Sequence, residues 1–305
     1  MRLGPWTLAT LLILLCMAVG GGIFYFRSTD LPVHELARYL PAKDAVVVSI
    51  DVKSLRSAGL LEALAGSRVT EEADYRSFVD ITGFDYRTDL DALLYSSSKG
   101  NVYLLASGRF DWNAITSYAS GQGASCRYAF CRMRSSQAGK WLSFFPLRSN
   151  VVGFAVSSDE LAALELQNQA GPLPAGAFAD QASISVPARL FKADATDVPA
   201  SLSPWFKLLA GAQSARFAMG MRNGDFEIKM RVECPSADSS AKVAQRLNES
   251  LRQLREASAG AEGDTPVTGL PLMLSRGDVK QEDRAVVATW SVNQGLVESL
   301  LSGRI

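Results

Sequence analysis

The sequence predicts an α+β protein in which one N-terminal transmembrane helix is followed by antiparallel sheets with helices on one face. Three observations predict it. Residues 6–26, WTLATLLILLCMAVGGGIFYF, contain no charged side chain. Beyond Arg27, β-branched runs of strand length alternate with stretches whose apolar residues recur at helical spacing. Turn formers separate many of these runs, above all Asn223-Gly224 between two alternating segments, a strong hairpin signal.

At about 1.5 Å per residue, the first run spans roughly 31 Å as a helix, the thickness of a bilayer's hydrocarbon core. Residues 1–27 therefore read as a membrane anchor. Arg2 and the terminal amine favour a cytoplasmic N-terminus, which puts the body in the periplasm or outside the cell. A cleavable signal peptide is the rival reading, because Ala18-Val19-Gly20 has the small-x-small form of a cleavage site. The uncleaved anchor is preferred: apolar residues continue to Phe26, and Trp6 and Tyr25 stand at the two ends as an aromatic belt would. Cys16 follows Leu14-Leu15, where a lipidation site needs a small residue.

Residues 28–43, with Pro32 and Pro41, read as a juxtamembrane connector with a helical turn at 33–40. A first α+β half, 44–170, opens with a strand at 44–51. A helix at 54–64 follows, with Ser54 as its N-cap, and then a helix at 71–81 with Tyr75, Phe78 and Val79 on one face. Strands at 90–97 and 102–110 flank the turn Ser98-Lys99-Gly100-Asn101, and Asp111 caps a helix running to Tyr118. A cysteine hairpin leads into a meander of strands at 128–134, 141–147 and 151–157, closed by a helix at 159–167. Gly171-Pro172-Leu173-Pro174-Ala175-Gly176 is a linker.

The second half, 177–305, begins with a strand at 183–191 and a helix at 204–212, followed by the Asn223-Gly224 hairpin. A long helix at 237–258 carries an apolar stripe of Val243, Leu247, Leu251 and Leu254. Strands at 270–279 and 285–292 and a terminal helix at 295–301 complete it. The two halves share an order of elements, which predicts a topological repeat, either as two sheets side by side or joined into one.

Charge is balanced, 31 basic against 31 acidic residues, so nothing global points to nucleic acid. Cys126 and Cys131 enclose four residues, a spacing that fits a staple across a tight hairpin. The alternative, half a metal site, lacks further ligands in a chain whose single histidine is His34. A disulfide agrees with export. The single histidine also removes a Ser-His-Asp triad and a histidine-based zinc site from the body. No Walker loop or Rossmann turn is present, and no cofactor or metal is expected.

Carboxylates remain as a source of chemistry. Asp85, Asp89 and Asp91 are the densest cluster, and paired carboxylates suffice for glycosidase-like hydrolysis. Helix capping and pairing with Arg87 is the preferred reading. A second anomaly is electrostatic: between Asp111 and Asp159 no acidic residue occurs, whereas Arg127, Arg132, Arg134, Lys140 and Arg148 do. Such a surface suits an anionic lipid, a phosphorylated glycan or an acidic envelope protein. Its structural counterpart is the exposed side of an antiparallel sheet whose aromatics point inward.

Leu40-Pro41-Ala42-Lys43-Asp44-Ala45, the strand to Asp51 and the helix with Gly59-Leu60-Leu61 resemble uncharacterised bacterial proteins that join one N-terminal membrane helix to a large extracytoplasmic domain of unknown function. The resemblance covers about residues 40–66. It implies a bacterial envelope protein and supplies no catalytic residues. The expectation is a single-pass, non-catalytic binding or interaction protein, held in the membrane by residues 6–26 and using the basic surface. The alternative is an anchored envelope hydrolase with paired carboxylates.

Overall fold

The computed structural model describes residues 33–61, 73–168, 180–192, 198, 203–222, 225–260 and 274–292. The expected anchor, the linker at 171–176, the Asn223-Gly224 turn and the helix at 295–301 lie outside them. Among the described residues no helix is long and apolar enough to cross a membrane.

The helical turn expected before the first strand forms as α1 (Val33–Leu36) and a 3₁₀ turn (Ala37–Tyr39). Leu36, Ala37 and Leu40 are buried beneath the sheet. β1 (Val46–Asp51) follows, then α2 (Val52–Ser57). Asp51, rather than Ser54, is the N-cap: its carboxylate accepts the Ser54 backbone N–H at 2.8 Å. The helix ends at Ser57, short of the expected 64. Gly59 takes a left-handed φ of 70°, and the Leu60 N–H bonds back to the Leu55 carbonyl. α3 (Ala73–Thr82), the short α4 (Tyr86–Asp89), β2 (Leu90–Ser98), β3 (Asn101–Gly108) and α5 (Trp112–Gly121) follow the expected order. The Asp111 carboxylate accepts from the Asn113 and Ala114 N–H groups, so the predicted cap forms.

β4 (Ser125–Arg127) and β5 (Phe130–Arg134) are joined by Cys126–Cys131, which form a disulfide and pair directly across the ladder. Tyr128 and Ala129, expected within a strand, form the turn, with φ of 49° and 66°. A two-residue hairpin whose twist matches its strands needs positive φ at both central residues, and here the cross-link holds non-glycine residues there. Reducing the disulfide, or replacing both cysteines by serine, is expected to cost about 2 kcal/mol for so short a loop. Urea denaturation with and without reductant measures it. β6 (Trp141–Arg148), β7 (Val151–Ser157) and α6 (Ala162–Glu165) complete the first half.

In the second half β8 (Ala182–Pro187) stops at Pro187 and turns into a 3₁₀ segment, four residues before the expected end. α7 (Ser203–Leu208), β9 (Ser214–Arg222), β10 (Asp225–Glu233), α8 (Ala237–Gly260), β11 (Asp278–Glu282) and β12 (Ala285–Val292) follow. Val243 and Leu251 of the α8 stripe are buried.

The twelve strands of the described residues join one antiparallel sheet in the order β11-β12-β10-β9-β8-β1-β2-β3-β7-β6-β5-β4. The halves meet where β1 pairs with β8, and the Ser49 and Ser183 hydroxyls share a buried 2.8 Å hydrogen bond. From that seam each half runs three strands outward, crosses by a helix, and returns so that its last strand pairs with its third.

The helices occupy both faces of the first half, not one. Neighbouring residues on a strand point to opposite faces. Leu105 packs with Leu36, Leu166 and Ala163 on one side, while adjacent Ala106 packs with Ala119 and Phe144 on the other. β3 is apolar on both sides, so both need cover. We call the side holding α3, α5, α7 and α8 the inner face and the side holding α1 and α6 the outer face. In the second half the outer face carries Arg216, Glu227, Lys229 and Arg231.

Candidate functional site

The sheet positions a cavity on its inner face, between α5 and strands β2, β3, β7, β6 and β5. α5 supplies Trp112, Ile115, Tyr118 and Ala119, and its C-cap Gln122 continues the same face of the helix. The sheet supplies Leu93, Ala106, Met133, Leu142, Phe144 and Phe154, alternate residues of adjacent strands. α3 lends Phe78, and the segments entering α4 and α5 lend Phe84 and Phe110. The space is about 510 Å³. Among the described residues, Gln122 is the one lining side chain that is neither apolar nor aromatic.

Aromatic contacts fix the wall. Phe78 meets Tyr118 edge-on at 5.2 Å, Phe84 stacks on Phe110 at 5.1 Å, and Phe144 lies 5.5 Å from Phe154. Such geometries are favoured by the ring quadrupole. Trp112 turns its ring to the cavity while its N–H donates to the Ser149 carbonyl at 2.9 Å. The polar tip is thus satisfied outside the apolar space.

The carboxylate cluster fastens this wall. Asp85 caps α4, accepts from the Arg87 guanidinium at 2.7 Å and from the Tyr75 hydroxyl at 2.9 Å, and so ties α3 to the sheet entry. Asp89 accepts from Arg109 at 2.6 Å and from the Asp85 N–H at 2.9 Å. Asp91 lies 3.8 Å from Arg56. Each is engaged by a cation, and none lines the cavity.

The Arg87 hydrogen bond holds the Asp85 carboxyl down to about 2, and burial with the bond to Asp85 pushes the Tyr75 phenol up to about 12. The folded pKa of Asp85 lies below its unfolded value near 3.9, so its contribution is complete above about pH 4 and is lost as pH falls toward 2. Tyr75 is shifted upward, so its contribution is complete below about pH 10 and is lost as pH rises toward 12. Urea midpoints measured from pH 5 to 2 are expected to fall less steeply in Asp85→Asn than in the wild type.

The basic residues lie elsewhere. Arg132 and Arg134 point to the outer face, opposite the cavity, because Met133 between them pairs with Leu142 and lines the cavity on the inner one. Arg132 pairs with Glu160. Arg134 lies over the Trp141 ring at 3.8 Å, Arg127 over the Tyr128 ring at 5.3 Å, Lys140 donates to the Gly100 carbonyl, and Arg148 reaches the Tyr39 hydroxyl at 3.4 Å. Tyr128 itself stands 91% exposed at the hairpin tip. Phe144 faces the cavity and not the arginines.

One continuous antiparallel sheet with helix layers and an apolar hollow beneath one of them defines an α+β class with a built-in cavity. Its overall architecture resembles that of TP0453. Crystal form III of that protein aligns with a TM-score of 0.50 at 10% identity, covering 90% of this chain and 99% of that one. Crystal form I gives 0.48 over the same shares. At this identity the likeness is one of fold. No protein-family model matches the sequence, and no curated protein matches it.

Proposed function

We propose that this chain is a non-catalytic binding protein of the cell envelope, anchored in the membrane through residues 6–26 with its body outside the cytoplasm, and that its ligand is an apolar molecule of the acyl-chain class held in the cavity. The lining carries this reading. The space falls within the roughly 300–1,000 Å³ range of small-molecule sites and offers almost nothing to a polar ligand. An apolar cavity of this kind does not fill readily with water. The 21-residue uncharged run and the Cys126–Cys131 cross-link support the compartment.

The test is photolabelling of the full-length protein, reconstituted in bilayer discs, with a fatty acid carrying a diazirine on its chain. Cross-links are expected in peptides containing Tyr118, Phe144 and Phe154. Labelling confined to residues 6–26, where any membrane protein meets lipid, would rule out the cavity as a binding site.

A further inference from the structure

The outer flank of the first half, along β5 and β6, has a charge pattern unlike the rest of the sheet. In the second half the described outer-face cations stand against carboxylates: Arg216 with Asp180, Lys229 with Glu227, and Arg231 with Glu233 and Glu282. Along β5 and β6 only Arg132 meets a carboxylate, Glu160. Arg134, Arg148 and, in the turn between β5 and β6, Lys140 are held by a ring, a phenol and a carbonyl, which orient a cation without cancelling its charge. Other carboxylates on this side have partners of their own: Asp159 accepts the Leu161 N–H at 2.9 Å, Glu165 accepts from the Tyr103 hydroxyl, and Glu35 faces Arg38.

Chain entry lies on the same side. Val33 packs with Leu36 and Leu40 in the outer-face core, and Tyr39, one turn further on, is the residue that Arg148 reaches. Six residues lie between Phe26 and Val33, a path of seven Cα–Cα steps. Fully extended they span at most about 25 Å, so an anchor ending at Phe26 keeps the outer face of the first half close to the bilayer. Arg134 stacked on Trp141 adds an aromatic beside a cation, the pairing enriched where protein meets headgroups.

We propose that this flank, with Arg134, Lys140, Arg148 and Trp141, docks on the anionic headgroups of the bilayer in which the chain is anchored, so that the basic surface orients the body on the membrane. The proposal rests on the anchored reading above. It leaves the inner-face cavity on the opposite side of the sheet, turned away from the lipid surface.

The experiment is hydroxyl-radical footprinting of the full-length protein in bilayer discs of neutral lipid and of neutral lipid with one-fifth phosphatidylglycerol. Trp141 is read against Trp205, which is 45% exposed in the other half. Incorporation into neutral discs tests the anchor by itself. Docking predicts that Trp141 oxidises more slowly in anionic discs than in neutral ones, and that raised salt removes the difference. Arg134→Gln/Lys140→Gln/Arg148→Gln is expected to weaken docking by roughly a hundredfold, which returns Trp141 to its neutral-disc rate. Equal rates in the two discs, or protection that survives the triple substitution, overturn the proposal. Protection that appears only when an acidic envelope protein is added overturns it in favour of that partner.

Discussion

Replacing Gly108 by alanine is expected to destabilise the protein by about 3 kcal/mol, the upper end of what overpacking costs. A Cβ at this position would sit 2.1 Å from the Asp89 carbonyl oxygen and 3.2 Å from the Leu90 Cα. Both are backbone atoms, so no rotamer change can relieve the clash. The chain passes close here because the Arg109 N–H donates to the same Asp89 carbonyl at 2.8 Å, while the Gly108 N–H donates to Asn150 at 2.9 Å. The irregular register between Leu90 and Ala92 lies at this crossing. Relief requires parting β2 from the end of β3, with loss of those bonds and strain on the Arg109–Asp89 pair. Gly121→Ala is the matched control: its Cβ meets nothing within 4 Å at the end of α5, so that variant is expected to hold or gain about 0.5 kcal/mol. Urea midpoints of the two alanine variants, measured side by side, decide it. Equal midpoints would show that the crossing is looser than the structure has it.

Much of this architecture was legible because local chemistry and tertiary structure agree. The Ser98–Asn101 turn carries Gly100 at positive φ, and Asp111 accepts two helix N–H groups, as their residue types imply. The misplacements share a cause. Gly59 and Pro187 ended their elements earlier than hydrophobic spacing alone suggested, because a left-handed residue or a missing N–H outweighs periodicity. Tyr128 and Ala129 read as strand because neither is a turn former, and the cross-link overrides that preference. Helices on both faces were missed because β3 alternates weakly: Leu104, Leu105 and Ala106 are apolar in succession, which signals a strand buried on both sides.

The cavity was less legible than the fold. Trp112, Ile115 and Ala119 show an apolar helix face, and Met133, Leu142, Phe144 and Phe154 show apolar strand positions, but nothing in either pattern says whether the two surfaces touch or stand apart. That gap is set by strands far apart in sequence, β3 and β7, lying side by side through long-range pairing. The basic run, by contrast, was plain as composition. Its division between faces emerged only from the Met133–Leu142 pairing.

Filling the cavity is expected to separate binding from stability. Ala106 reaches the space from the sheet and Ala119 from α5, and both are nearly buried, so Ala106→Phe or Ala119→Phe places a ring in existing volume rather than in packed core. A ring there displaces about four methylenes of a bound chain. At about 0.8 kcal/mol each this removes roughly 3 kcal/mol of binding, a fall in affinity of about a hundredfold. Stability should not fall with it, because the new ring gains contacts with Phe144 and Ile115 that alanine lacked. The expected result is a variant with an unchanged or raised urea midpoint whose Phe144 and Phe154 peptides no longer take up the photoreactive fatty acid. Leu105→Ala, on the other face of the same strand, is the counterpart. Leu105 is fully buried, so that change is expected to cost 2–5 kcal/mol by the usual measure of a core leucine, while leaving the cavity lining intact. Both outcomes together would show that the hollow is retained for a ligand and is not a packing defect. Undiminished labelling in the phenylalanine variants would place the fatty acid elsewhere on the protein.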